Sequence, residues 1–196
     1  MQQLILGSSS PFRAALLDKL GLEFIQVSPA IDETPNAGET PAKLVERLSQ
    51  SKAREIARSY PDALIIGSDQ VAVINNKILG KPGDHETALE QLKEASGRKV
   101  TFLTGLSLLN ARQDHIQSVV EPFTVYFRDL SDEQIDFYLK KEQPYQCAGS
   151  FKSEGFGISL FSKLEGDDPN ALIGLPLIRL VEMLQNENID VLRQHQ

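Results

Sequence analysis

The run Ala63-Leu64-Ile65-Ile66-Gly67-Ser68-Asp69-Gln70-Val71-Ala72-Val73-Ile74 is apolar except at Ser68, Asp69 and Gln70. Strict alternation places Asp69 on one face with Ile65, Gly67, Val71 and Val73, and Gly67 beside it leaves room for a ligand to approach the backbone. A carboxylate set there is costly unless a cation pairs with it or it holds a metal. A second misplaced charge is Lys52. The segment from Pro41 to Tyr60 carries an inward stripe of Val45, Leu48, Lys52 and Ile56, so a lysine falls where an apolar residue belongs. It needs an anion, or else its stem snorkels past the core edge to solvent.

Other charges could serve the same chemistry. Asp32-Glu33 closes a second strand, bracketed by turn residues; alone, such a pair is merely solvated. Lys81, between Gly80 and Pro82, could be aimed by a rigid turn, although an isolated lysine of this kind is ordinary surface. At the N-terminus, Leu4-Ile5-Leu6 gives way to Gly7-Ser8-Ser9-Ser10-Pro11-Phe12-Arg13. Ser10 suits an N-cap and Pro11 the first helical position, so free N–H groups, the helix dipole and the Arg13 guanidinium converge where a phosphate could sit. Two or three carboxylates, two lysines, an arginine and a serine loop are what a metal-assisted reaction on a polyphosphate needs. The carboxylates hold Mg²⁺ or Mn²⁺, which keeps part of its water shell, and the cations neutralise phosphate oxygens.

The elements that position these groups read as a mixed α/β pattern. A strand at Leu4–Leu6 leads to a first helix that Gly21 ends, and a second strand covers Leu22–Val27. The helix from Pro41 and the strand from Ala63 follow, with Asn75-Asn76 as a turn signal and Lys77–Leu79 returning. Asp84 caps a helix that Gly97 stops. Lys99 to Arg128 is a β-hairpin turning at Ala111–Asp114, and Ser131 with Gln134 fits a capping box. A strand is predicted near Ile158–Phe161 and a last helix from Pro176 to about Leu184. Helical crossovers combined with a hairpin predict a mixed, twisted sheet with flanking helices rather than a purely parallel one.

Composition narrows the class. The 196 residues are 41% hydrophobic and 24% charged, which predicts one domain over 1–196, with two lobes around a cleft as the expected variant. Lys+Arg of 20 against Asp+Glu of 27 gives a net charge of −7, which argues against nucleic acid or anionic membrane as partner and favours a small soluble substrate. Cys147 is alone and His85, His115 and His195 are far apart, so neither a disulfide scaffold nor a zinc site is expected. The opening Met-Gln-Gln-Leu lacks a signal-peptide pattern and no apolar run could span a bilayer, so the expected compartment is the cytoplasm.

Ser10-Pro11-Phe12-Arg13, Asp32-Glu33-Thr34, Lys52, Gly67-Ser68-Asp69-Gln70, Gly80-Lys81-Pro82 and Thr104-Gly105 together resemble the Maf nucleoside triphosphate pyrophosphatases, in that order and over essentially the whole chain. Phe12, Gln70, Phe151-Lys152-Ser153-Glu154-Gly155 and Gly174-Leu175-Pro176 resemble the branch acting on 7-methyl-GTP. The resemblance implies a Maf/ITPase-like fold, often as a homodimer, and house-cleaning hydrolysis of a modified nucleotide between its α and β phosphates with a divalent metal. It implies Asp69 as proton acceptor for the attacking water, and Glu33 with Asp69 at the metal. Arg13, Lys52 and Lys81 would contact the triphosphate, Ser9 and Ser10 would supply loop hydrogen bonds, and Phe12, Gln70 and Glu154 would set base selectivity. Phe12 keeps an aromatic ring where that branch has a tryptophan.

The chemistry of the base agrees. Methylation at N7 makes guanine cationic, and a flat cationic ring is held well between an aromatic face and a carboxylate, which Phe12 and Glu154 offer. Competing readings are a nucleotide-binding regulator of cell division without turnover, a pyrophosphatase selective for dTTP or UTP, and a nucleotidyl or phosphoryl transferase. The first has no need of Asp69 in its strand. The last lacks a P-loop ending after Gly7–Arg13.

Overall fold

The computed structural model describes residues 2–193; Met1 and residues 194–196, His195 among them, lie outside the described residues. Strands β1 (Leu4–Gly7), β2 (Ile25–Val27), β3 (Leu64–Ile74), β4 (Lys77–Leu79), β5 (Lys99–Asn110), β6 (His115–Phe127) and β7 (Phe161–Glu165) form one mixed sheet in the order β2-β1-β3-β5-β6-β7, with β4 paired to β3. The helices are α1 (Pro11–Asp18), α2 (Pro41–Ala57), α3 (His85–Ala95), α4 (Asp132–Glu142), α5 (Pro169–Ile173) and α6 (Leu177–Asn186).

The local signals behave as their chemistry requires. Ser10, Thr40, Asp84 and Ser131 each cap a helix by accepting a backbone N–H, and Ser131 with Gln134 completes a capping box. Asn75 and Asn76 take φ of 48° and 64°, the left-handed pair that a tight β3–β4 hairpin demands. β1 runs parallel to both β2 and β3, with Gly7 opposite Val27 on one side and Gly67 on the other.

Three stretches differ from the sequence expectation, the first being β2, which begins at Ile25 rather than Leu22. Residues Phe156–Leu160 form a 3₁₀ turn, and the strand begins only at Phe161, where pairing with β6 starts at Phe127. Beyond its buried first residue β7 is exposed and largely polar (Ser162-Lys163-Leu164-Glu165), the composition of a guarded edge, and this hides it from a search for apolar runs. Helix α5 is five residues long, too short for a periodic pattern to declare itself.

The chain divides into two compact units. The first comprises residues 1–70, 104–121 and 174–196, and the second 71–103 and 122–173. In the first, Ile5, Ile65 and Leu109 of the sheet pack with Ala53 and Ile56 of α2. In the second, Phe102, Phe127, Phe151 and Phe161 meet edge to face within a core that also takes Leu92, Ile135 and Tyr138.

Gly67 decides how α2 lies on β3. A Cβ there would sit 2.0 Å from the carbonyl oxygen of Ser49, so only glycine lets the helix backbone come this close. The sequence suggested that Gly67 leaves room for a ligand. That is corrected by the structure, because the room is filled by α2 itself.

Candidate active site

Close packing at Gly67 brings α2 over the polar stretch of β3. Lys52 and Asp69, 7% and 8% exposed, meet there, with the lysine Nζ donating to Asp69 Oδ1 at 2.6 Å. The same ammonium lies 2.7 Å from Glu33 Oε1, and Glu33 reaches it from an exposed position. Lys52 therefore does not snorkel. It is the cation that permits Asp69 its place in an apolar strand, and it is shared with a second carboxylate whose side chain is 58% exposed. A purely structural core pair has no use for that exposed partner.

Arg13 completes the charge set. Burial draws its guanidinium below the ordinary arginine value, while the nearby Asp69 and then Glu33 act in the opposite direction. Its Nε donates to the carbonyl of Gly174 at 2.8 Å and its Nη1 to Ser8 Oγ at 3.4 Å. Of the serines, Ser8 is buried and also accepts the N–H of Ser10 at 3.1 Å. Ser10 accepts the N–H of Arg13 as helix cap, and Ser9 is exposed. The loop is thus organised by Ser8, which sequence reasoning passed over; the signal was its place directly after the buried strand.

The loop bearing Glu33 is tied down locally. The Thr34 hydroxyl first and then its N–H, which Asp32 accepts, lower the Asp32 pKa, and Arg47 of α2 donates to the Thr34 carbonyl. Arg47 also grips Glu39 in a two-toothed bond of 2.7 and 2.8 Å. The Glu39 carboxyl is held down to about 2, first by Arg47 and then by the N–H of Asn36. Neither Arg47 nor Glu39 was picked out from the sequence, since their pairing shows only once the loop folds onto α2.

Phe12 and Gln70 also belong to the first unit. Phe12 projects from the first turn of α1 with 40% of its surface exposed, a ring available for stacking. Gln70 is half-buried, and its amide donates to the buried Thr104 hydroxyl at 2.9 Å.

Lys81 and Glu154 belong to the second unit, and both are exposed. The Lys81 turn is anchored by Gln91, whose amide donates to the Gly80 carbonyl, and by the N–H of Gly83 on the Tyr145 carbonyl. The segment with Glu154 is moored to α4: the N–H of Lys152 donates to the Tyr138 hydroxyl and that of Phe156 to Glu142. Both charges act on Cys147, whose thiol burial pushes up, so the two segments are neighbours within this unit. Within the first unit the structure gathers Arg13, Glu33, Lys52 and Asp69, and Lys81 and Glu154 both lie in the second unit.

Glu33 and Asp69 suit a divalent cation. Mg²⁺ and Mn²⁺ take one or two protein carboxylates and fill their remaining positions with water and phosphate oxygens, and these two oxygens already share one cation. Among the described residues there is no group of three or more His, Cys, Asp and Glu that could hold a metal, so no all-protein cage is on offer.

The fold is shared with solved structures of low sequence identity. A HAM1 protein from Coxiella burnetii superposes with a TM-score of 0.50 at 14% identity, covering 95% of this chain and 100% of that one. The Staphylococcus aureus Ham1 protein gives 0.50 at 12% identity with the same coverage. The model of the Maf-like protein family matches residues 3–187, and the chain belongs to that family. A relative from Nitrosococcus oceani, the 7-methyl-GTP pyrophosphatase, is 58% identical over 189 residues, 96% of this chain and 95% of that protein.

Proposed function

We propose that this protein hydrolyses 7-methyl-GTP to the monophosphate and pyrophosphate, removing a modified nucleotide from the cytoplasm. The observation that carries the reading is the shared ammonium: Lys52 at 2.6 Å from Asp69 and 2.7 Å from Glu33, beside the Arg13 guanidinium. The 58% identical relative supports the choice of substrate. No helix among the described residues is long and apolar enough to cross a membrane.

Water adds through its oxygen to the α phosphorus, the bond from that phosphorus to the α–β bridging oxygen breaks, and pyrophosphate leaves with the electron pair. Asp69 accepts the proton that the water loses. Arg13 and Lys52 hold the phosphate oxygens by charge-assisted bonds, and Lys81 supplies a further cation. Ser10 and Ser9 add hydroxyls to the loop that receives the chain of phosphates. Glu33 and Asp69 would hold the divalent metal, which when bound would draw charge off the phosphate oxygens. Phe12 stacks on the base, Gln70 meets its edge, and Glu154 faces its positive charge. The active form is a homodimer, which light scattering on the purified protein tests.

The deciding experiment is a panel of 7-methyl-GTP, GTP, UTP and dTTP assayed for pyrophosphate release with and without Mg²⁺. Preference for 7-methyl-GTP is the expected result. Preference for UTP or dTTP replaces the substrate assignment, and binding without release points to a regulator.

A further inference from the structure

We propose that the carbonyl of Gly174 and the hydroxyl of Ser68 form a clamp that fixes which edge of the Arg13 guanidinium is offered to phosphate. The inference rests on the phosphate-binding role given above to Arg13. Gly174 lies 161 positions beyond Arg13 in the sequence, in the corner that leads into α6, yet its carbonyl oxygen accepts two donors: Arg13 Nε at 2.8 Å and Ser68 Oγ at 2.9 Å. Ser68 is fully buried and immediately precedes Asp69, so the oxygen is tied to β3 on one side and to the arginine on the other.

A guanidinium has five N–H donors in a planar fork and can meet a phosphate by its Nε side or by its Nη end. Here Nε is committed to Gly174 and one Nη1 hydrogen to Ser8, while Nη2 makes no hydrogen bond to the described residues. The Nη end is therefore the edge left to bind phosphate, and its direction is set before substrate arrives. A lysine could carry the charge but would have no second edge to anchor.

Gly174 is required for the arrangement. Its φ of +119° is a backbone conformation open essentially to glycine, and a Cβ would stand 3.2 Å from Arg13 Nε, against the bond it is meant to make. Gly174 and Ser68 touch no substrate in this scheme. They are positioning residues, acting through Arg13.

The test is a double-mutant cycle read by calorimetry with inorganic tripolyphosphate in the presence of Mg²⁺, on the full chain. Ser68→Ala and Gly174→Ala are each expected to weaken binding about fivefold or more, the worth of one hydrogen bond. In an Arg13→Ala background the same changes should alter binding less than twofold, because nothing remains to position. With 7-methyl-GTP the single variants should raise KM more than they lower kcat. Equal effects with and without Arg13 would overturn the clamp, as would wild-type affinity in Ser68→Ala, the variant that keeps the fold if Gly174→Ala does not. A wild type that binds no tripolyphosphate also overturns it. Failure to release pyrophosphate from 7-methyl-GTP overturns the proposed function instead, and leaves the cycle on tripolyphosphate to be judged by itself.

Discussion

Lys52 of α2 and Asp69 of β3 face one another across 2.6 Å, and each explains the other's position. The aspartate is tolerated in its strand because the ammonium is there, and the lysine is tolerated on the buried face of its helix because the carboxylate is there.

Asp69→Asn should lower kcat about 10²–10⁴-fold, the usual worth of a general base, because the amide keeps the shape but accepts no proton. Steady-state kinetics on protein of unchanged circular dichroism checks it. A near wild-type kcat would remove Asp69 from the reaction.

Lys52→Ala should cost stability as well as activity. A carboxylate left buried without its cation costs on the order of 3 kcal/mol, so the melting temperature should fall, against the gain that a merely snorkelling lysine would give. Adding Asp69→Asn to Lys52→Met should restore much of the stability and none of the turnover. Melting curves of the three variants decide between pairing and packing.

Much of this arrangement was legible in the sequence, because the cues were local. The apolar run around Asp69, the inward stripe with Lys52 and the caps at Ser10, Thr40, Asp84 and Ser131 each involve residues a few positions apart, and they fold as their spacing predicts. What escaped depends on chain segments meeting late. The Gly174 carbonyl on Arg13 and the Arg47 grip on Glu39 have no local signature. Gly67 was misread for the same reason, since a glycine in a strand announces a close approach without saying what approaches.

Glu33→Gln should weaken divalent-metal binding while sparing the fold, because Glu33 is exposed and Lys52 keeps Asp69 as partner. Loss of even outer-shell partners costs about 10–100-fold in metal affinity, and a direct ligand should cost at least that. Electron paramagnetic resonance of added Mn²⁺ gives the affinity without turnover, and the Mg²⁺ dependence of pyrophosphate release gives it with turnover. Unchanged values in both would take Glu33 out of the metal site.

Acid should loosen the Glu33 loop through Glu39. The carboxyl is held at about 2 in the folded protein against an ordinary 4.5, so its contribution is fully present above pH 4.5 and fades as pH falls towards about 2. Glu39→Gln should flatten the fall of melting temperature across that window. Parallel curves for wild type and variant would show that the Arg47–Glu39 bond does not set acid stability.

Base selectivity should respond to Glu154 and Phe12 in different ways. Glu154→Gln should cost far more with 7-methyl-GTP than with GTP, since it removes a charge that only the methylated base answers. Phe12→Ala should lower kcat/KM for both, by about the 1–3 kcal/mol that stacking on one base is worth. Ratios of kcat/KM for the two nucleotides separate the roles, and a uniform loss in Glu154→Gln would make it a general contact.

The 2.0 Å approach at Gly67 has a consequence for how damage to this protein would be classified. Adding one methyl group there would force α2 off β3 and carry Lys52 away from Asp69. An activity screen of random variants would then score Gly67 beside Asp69, the proposed proton acceptor, although Gly67 packs against the α2 backbone. Yield of folded protein would tell the two apart: Asp69→Asn should accumulate and be inert, whereas Gly67→Ala should be lost to degradation before its activity can be asked about.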